Sequence, residues 1–421
     1  MMDRAVAVVC TMDTKGDEAE FLKAAIESHG SRAVLMDVST RGEPRGTPDI
    51  TSDEIVARAG LDRAALRAKG VRGDIVAAMA DGAALTIADL LAQERIQGAL
   101  GIGGNQGSAI AATAMRALPI GFPKFLVSTI ASGNIRPFVG HKDIAVMFSV
   151  SDFVGGLNPV TRSILANAAA AVTGMAASGA GVYRSEGRRT IAVTALGNTE
   201  AAAHKAIELL QAAGHEVVAF HASGAGGSAM EELIRNGTID AVLDLTLHEL
   251  TEEVLGVGAY VPVTPGRLSV ALDRGIPVVA ATGGMEYLCF GPRSSIPEEL
   301  QDRTIYMHNP YNANLKINHE ELVRVAEVLA ERLNAARSSV ALFIPRKAWS
   351  VYGGDGGPFH DPEGIELFLD TVRHRLQDTV ELTVMDSSIN DEEFAEACVA
   401  QLNTYLASAP NATPQHVKEE R

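Results

Sequence analysis

The stretch Gly98-Ala-Leu-Gly-Ile-Gly-Gly-Asn-Gln-Gly-Ser108 decides the fold of this chain. It runs from a short apolar strand through a glycine-rich turn into an alanine-rich segment, 109–118, that reads as a helix. A strand that enters a helix through a tight turn is the repeating unit of an open α/β sheet. Glycine takes positive φ and lets backbone approach a ligand closely. Free N–H groups at the helix start, together with its dipole, favour phosphate there. The element therefore predicts a parallel sheet with a phosphate at its edge. The alternative is a plain strand-to-helix turn.

Outward from that stretch the alternation continues. Residues 5–9, 32–38, 124–128 and 144–149 read as further strands, each a near-continuous apolar run as buried parallel strands are. Segments 17–29, 74–93 and 161–177 read as helices. A small, polar stretch, 178–189, reads as a linker, after which the pattern restarts. Strands are expected at 190–195, 216–220, 241–245, 277–281, 304–307, 340–344 and 381–385, with helices at 200–213, 230–236, 320–335, 362–376 and 391–406. The expected architecture is α/β: two Rossmann-like, doubly wound domains with mostly parallel sheets. Residues 1–180 form a nucleotide-binding domain, 190–407 a second α/β domain, and 408–421 a flexible tail.

Composition agrees with that class. The chain has 421 residues, 47% hydrophobic and 21% charged, enough for two or three domains with sizeable cores. Its net charge is −16 and no long Lys/Arg run occurs, so no electrostatic footprint for nucleic acid is present. Cys10, Cys289 and Cys398 show no metal-ligand spacing, and a cytoplasmic setting is expected. No apolar stretch approaches the roughly 20 residues of a membrane span, and neither a signal peptide nor membrane association is expected.

Open α/β sheets bind ligands outside the carboxyl ends of their strands, so the residues after each strand are the candidates. After the first strand comes Cys10-Thr-Met-Asp-Thr-Lys-Gly-Asp17, in which Asp13 or Thr14 can cap the next helix and Lys15 can reach a phosphate. Asp37 follows the second strand, where an acid can take ribose hydroxyls. The third strand leads to Gly103, Gly104, Asn105, Gln106, Gly107 and Ser108. Thr129, Ser132 and Gly133 follow the fourth, and Asp152 the fifth. Neither Gly-x-x-x-x-Gly-Lys-Ser/Thr nor Gly-x-Gly-x-x-Gly in its usual place occurs, which disfavours a Walker loop and dinucleotide binding.

At these residues the chain resembles the ATP-binding domain family of the tomato mosaic virus resistance protein and its bacterial and fungal relatives. The resemblance rests on Thr11-Met-Asp-Thr-Lys-Gly16, Gly103-Gly-Asn-Gln-Gly-Ser108, Ser128-Thr-Ile-Ala-Ser-Gly133 and Ser151-Asp152. It continues through Gly224-Ala-Gly-Gly-Ser-Ala-Met-Glu231 and Gly354-Asp-Gly-Gly-Pro-Phe-His-Asp-Pro-Glu363. It covers nearly the whole chain. The resemblance implies two Rossmann-like subdomains, ATP held by the first, and a homodimer. Many relatives carry a TIM-barrel domain after this region, so a separately encoded TIM-barrel protein is an expected partner. One departure is Cys10-Thr11-Met12 where the family often has Gly-Thr; a side chain at position 10 would tighten the pocket.

The second domain offers its own candidates. Gly224, Gly226, Gly227 and Ser228 form a second glycine-rich helix start, read either as an anion site or as close packing. His308 and Asn309 follow a strand, and Arg267 and Arg346 could supply fixed positive charge. Asp361 reads as a helix N-cap with Pro362 at the first helical position. His141, Asp152 and His360 are the acid/base candidates. His248, Glu249, His308, His360 and Asp361 lack the His-x-x-x-His spacing of a helical metal site, so no protein-built metal site is expected, and Mg²⁺ is expected with the nucleotide. Two function classes stand open. One is an enzyme that couples ATP to a small anionic metabolite. The other is a non-catalytic, nucleotide-stabilised module acting through a protein partner. A third, weaker reading is a sugar- or lipid-kinase-like turn at Gly103-Gly104-Asn105.

Overall fold

The computed structural model describes residues 4–179, 181–185 and 187–408. They divide into two compact units, Met1–Val182 and Tyr183–Arg421. The expected tail falls, from residue 409 on, outside the described residues.

In chain order the first unit contains β1 (Ala5–Cys10), α1 (Met12–Ser28), β2 (Arg32–Asp37), α2 (Ser52–Arg58), α3 (Arg63–Lys69), α4 (Arg72–Ala92), β3 (Gly98–Gly103), α5 (Asn105–Arg116), β4 (Lys124–Ser128), α6 (Arg136–Val139), β5 (Ala145–Phe148) and α7 (Pro159–Ala177). The strands form one parallel sheet in the order β2-β1-β3-β4-β5. Alternate residues of β1 feed two cores, as the period of two requires. Val6, Val8 and Cys10 pack with Leu22, Leu165 and Val172 beneath α1 and α7. Ala5, Ala7 and Val9 pack with Met79, Ala111 and Met115 beneath α4 and α5. Gly101 lets α5 lie close: a Cβ there would sit 2.7 Å from that of Ala111.

The second unit contains β6 (Thr190–Ala195), α8 (Glu200–Ala212), β7 (Glu216–His221), α9 (Ala225–Arg235), β8 (Ala241–Asp244), α10 (His248–Leu255), α11 (Ser269–Arg274), β9 (Val278–Ala281), β10 (Tyr287–Phe290), β11 (Ile305–Asn309), β12 (Asn312–Lys316), α12 (His319–Asn334), β13 (Val340–Pro345), α13 (Pro362–Arg375), β14 (Val380–Met385) and α14 (Glu392–Ser408). Six strands form a parallel sheet, β14-β13-β9-β8-β6-β7. Helices α8 and α14 cover one face, burying Ala206, Leu210, Phe394 and Leu402. The doubly wound α/β class expected from the sequence is the observed one.

The structure differs from expectation in two places. The strand expected at 304–307 is β11, Ile305–Asn309, which pairs antiparallel with β12 in a separate three-stranded sheet, β10-β12-β11. Only Pro310 and Tyr311 separate the two strands, and so short a link permits a hairpin but not a parallel crossover. The second concerns apolar length. Gly73–Ala92 is long and apolar enough to cross a membrane by composition, contrary to the expectation that no stretch is. Here it is a core helix: Ile75, Ala78, Met79, Ala83, Ile87 and Leu90 are buried against the sheet layer, with α2 and α5 alongside.

Candidate functional site

The strand order of the first unit reverses direction between β1 and β3. That is the topological switch point at which open α/β sheets bind ligands. The loops ending β1 and β3 therefore stand side by side: an added Cβ on Gly107 would come 3.9 Å from Thr11 Oγ1. Each loop is held by its own polar links. Asp37, fully buried, accepts the amides of Met12 and Ser39 at 3.0 Å each through Oδ1. Asp13 accepts the Gly42 amide at 2.9 Å. Arg63 and Arg67, on α3, hold the carbonyls of Ser39, Thr40 and Gly42. Gln106 Nε2 donates to Thr40 Oγ1 at 2.7 Å, tying the start of α5 to the loop after β2.

The predicted residues sort by what they touch. Ser108 is fully buried and donates to Ser128 Oγ at 2.7 Å, latching α5 to β4. Gly103 admits the helix, since a Cβ there would lie 2.5 Å from the Ser108 nitrogen. Gly104 is the N-cap position of α5, which no side chain caps. A Cβ on Gly104 would meet only Thr129 Oγ1, at 3.5 Å. Asn105 is exposed at the first turn, and Ser132 and Gly133 are exposed after β4. Thr14 bonds back to Thr11, and Lys15 breaks the helix with φ −129° and ψ 33°. The Lys15 ammonium lies 3.5 Å from Thr14 Oγ1 and, among the described residues, pairs with no carboxylate. Asp152 is exposed beyond β5 and caps the Phe153 amide at 2.7 Å.

His141 is not part of this edge. It directly precedes Lys142, which bonds the Leu118 carbonyl, and Asp143, which pairs with Lys124 at the amino end of β4. The candidate thus lies at the opposite end of a strand that advances about 3.3 Å per residue. The reason is the short helix α6, which returns the chain across the sheet before β5. Cys10 is a core thiol, and burial pushes its pKa far up.

In the second unit the glycine-rich turn meets a carboxylate of its own chain. Glu249 Oε1 accepts the amides of Gly224 and Gly227, at 2.5 and 3.0 Å. Arg267 Nε donates to the other oxygen at 2.7 Å. The anion facing this turn is therefore Glu249, in place of the open anion site considered from the sequence. Gly226 and Gly227 are demanded by packing, since Cβ atoms there would fall 2.0 Å from the His221 carbonyl oxygen and 1.8 Å from Glu249 Oε2. Ser228 is buried and donates to the Gly224 carbonyl. Arg267, likewise, is not available to a ligand: it is buried and also pairs with Asp244 and Glu231. Burial is the main influence on Glu231 and raises its pKa, while Arg267 opposes the rise. Arg346 is an exposed pair with Glu366.

The remaining candidates of this unit do not converge on the turn. His308 and Asn309 end β11; His308 Nδ1 lies 3.2 Å from Tyr352 Oη, and Asn309 accepts the Tyr311 amide. Between His308 and the turn stand the rings of Tyr352, Tyr287, His248 and Tyr260, with successive centroids 5.7, 4.7 and 5.8 Å apart. His360 is exposed, its Nδ1 3.2 Å from the Gly353 carbonyl. Asp361 caps α13 as expected, accepting the Gly364 amide at 2.9 Å. Burial would raise its pKa, but that bond with Lys316 and His319 holds it below the ordinary value.

The structure regroups the metal candidates: of the five weighed from the sequence only His248 is in the set, and its partners, Glu252 and Cys289, were not paired with it. His248 and Glu252 are four apart on α10, and Cys289 on β10 joins them; one donor atom from each lies within 4.8 Å of the others. The His-x-x-x-Glu spacing was readable, but the thiol arrives only through the fold.

Nearby, a cavity of about 20 Å³, room for about one water, is lined by Glu286, Lys316, Trp349, Gly353, Phe359 and Asp361 among others. Burial pushes the Glu286 carboxyl up to about 7, against the bond from Ser350. The folded state therefore holds a proton that the unfolded state releases near 4.5. The contribution of Glu286 to stability is then fully present below that value and is lost as pH rises towards about 7, about 3 kcal/mol for this group. Trp349, the only tryptophan, lines this cavity and reports the unfolding. Urea titrations followed by its fluorescence should show this fall in the native chain and a much flatter profile in Glu286→Gln. An unchanged profile in the variant would assign the dependence elsewhere.

Family models match the chain in two pieces. The N-terminal domain of the uncharacterised protein family UPF0261 matches residues 4–180, and its C-terminal domain residues 188–406. A UPF0261 protein of Clostridium tetani is 39% identical over 402 residues, covering 95% of this chain and 98% of that protein. The ToMV resistance protein Tm-1(GCR237) of Solanum lycopersicum is 31% identical over 434 residues, covering 98% of this chain and 56% of that protein. This chain thus spans about half the length of the tomato relative. Among solved structures, oxidised flavodoxin 2 from Bacillus cereus is similar over 52% of this chain and 99% of its own, at 14% identity and a TM-score of 0.19. The motif resemblance is thereby a relationship over nearly the whole chain, and the protein belongs to the uncharacterised protein family UPF0261.

Proposed function

We propose that the first unit binds ATP, with Mg²⁺ on its phosphates, at the switch point between β1 and β3. The observation that carries the reading is the strand order β2-β1-β3-β4-β5, which sets the Thr11-to-Lys15 loop beside the uncapped start of α5. In this reading the first-turn amides of α5 and the Lys15 ammonium receive phosphate oxygens, and Gly104 and Thr129 line the approach. Mg²⁺ would neutralise phosphate charge while needing few protein ligands. The family resemblance carried by Thr11-to-Gly16 and Gly103-to-Ser108 supports the same site.

Between the two function classes, the non-catalytic module gains from the position of His141. Of the acid/base candidates in the first unit, only Asp152 stands at the carboxyl edge, and it is exposed. The partner in that reading is a protein such as a separately encoded TIM-barrel protein, and the chain acts as a homodimer. Calorimetric titration of the full chain with ATP and Mg²⁺ is expected to give saturable binding at about one site per chain. A flat titration would overturn the reading. Phosphate release in the same sample separates the classes: none supports the module, and release stimulated by an anionic metabolite supports the enzyme.

A further inference from the structure

We propose that His248 Nε2, Cys289 Sγ and a carboxylate oxygen of Glu252 bind one divalent transition-metal ion inside the second unit, with Zn²⁺ the best match to the donors. The three donor atoms lie within 4.8 Å of one another. Tetrahedral Zn²⁺, with bonds of about 2.0–2.3 Å, needs its ligand atoms about 3.3–3.8 Å apart, so small shifts complete the set. Thiolate, imidazole and carboxylate together suit Zn²⁺ and disfavour Mg²⁺ or Ca²⁺, which take oxygen ligands.

The surroundings are those of a metal ligand set. His248 Nδ1 lies 2.7 Å from the Gly284 carbonyl oxygen, which fixes that nitrogen as a donor and turns Nε2 towards Glu252 at 3.0 Å. Metal-bound histidines are oriented in this way by a carbonyl or carboxylate on the second nitrogen. Glu252 is anchored in turn by the backbone amides of Cys289 and Tyr260. Asn314 lies 3.4 Å from Cys289 Sγ, and its amide, turned over, would donate to a thiolate.

The competing assignment for these residues is a Cys-His-Glu nucleophile relay. A relay needs the imidazole between its partners, one on each nitrogen. Here one nitrogen is taken by Gly284, and thiol and carboxylate share the other side. Convergence of three donors on one point is what coordination requires. His248 and Glu252 are fully buried and Cys289 nearly so, so the ion would link α10 to β10 from within the unit and keep its fourth coordination position for a ligand other than these three. Binding converts the Cys289 thiol to thiolate and releases its proton to solvent.

The test uses the full chain stripped with a chelator and titrated with Co²⁺. The expected result is about one Co²⁺ per chain, with a thiolate-to-cobalt charge-transfer band displaced by Zn²⁺. Cys289→Ser should abolish the band, while Cys398→Ser, a buried thiol of the same unit, should keep it. Glu252→Gln should weaken binding by roughly tenfold or more. A band that survives Cys289→Ser overturns the proposal, as does a native chain that takes up no Co²⁺. Should Cys289→Ser fail to fold, alkylation of the native chain decides. Co²⁺ is expected to protect Cys289 and leave the labelling of Cys398 unchanged; equal labelling of Cys289 with and without Co²⁺ overturns the site.

Discussion

Arg267→Met is expected to destabilise the second unit by about 3–5 kcal/mol, enough to unfold it or bring it close to unfolding. The guanidinium is buried among Glu249, Asp244 and Glu231, at N···O distances of 2.7, 2.9 and 3.2 Å. Methionine matches the stem but leaves the three carboxyl groups without their cation. Some of them must then take up protons, so the variant should lose stability further as pH rises. Glu231 leads that response because burial already raises its pKa. Urea unfolding followed by Trp349 fluorescence reads the effect in the correct unit. Arg346→Met, which removes an exposed pair with Glu366, should cost less than about 1 kcal/mol. A loss of under 1 kcal/mol for Arg267→Met would mean that the carboxylates find other partners, and the ionic knot would not be holding the turn at Gly224 and Gly227.

Gly104→Val is expected to abolish ATP binding while leaving the fold intact. A Cβ at this position meets only Thr129 Oγ1, at 3.5 Å, and φ, at −87°, is not in the left-handed region that favours glycine. The branched side chain would stand over the first turn of α5, where phosphate must approach. Calorimetry should therefore show no saturable heat, and circular dichroism and the melting temperature should match the native chain. Gly103→Val is the contrasting variant: its Cβ would collide with helix backbone 2.5 Å away, so it should lose the fold together with the ligand. Normal ATP binding by a folded Gly104→Val chain would place the phosphate elsewhere.

Sequence reading succeeds where the signal is local. The α/β class, the glycine turn at 103–107 and the N-cap at Asp361 depend on residues close in sequence, and local rules describe them. Helices α2 and α3 went unread because they are short and polar, with little periodicity to detect. Their consequence is not small, since Arg63 and Arg67 hold the loop after β2. The glycine turn at 224–228 is locally indistinguishable from an anion site. Its occupant is Glu249, more than 20 residues on, whose carboxylate reaches the turn only once α10 is docked.

The sequence by itself determined that this chain builds doubly wound sheets and where its strands turn into helices, because apolar runs and glycine act through the local backbone. Only the tertiary structure decided which polar groups are already satisfied. It assigned Arg267 to three carboxylates, put His141 at the far end of its sheet, and brought Cys289 to His248 and Glu252. Charge pairing and coordination depend on distance in space, and the fold sets that distance across tens of residues of chain.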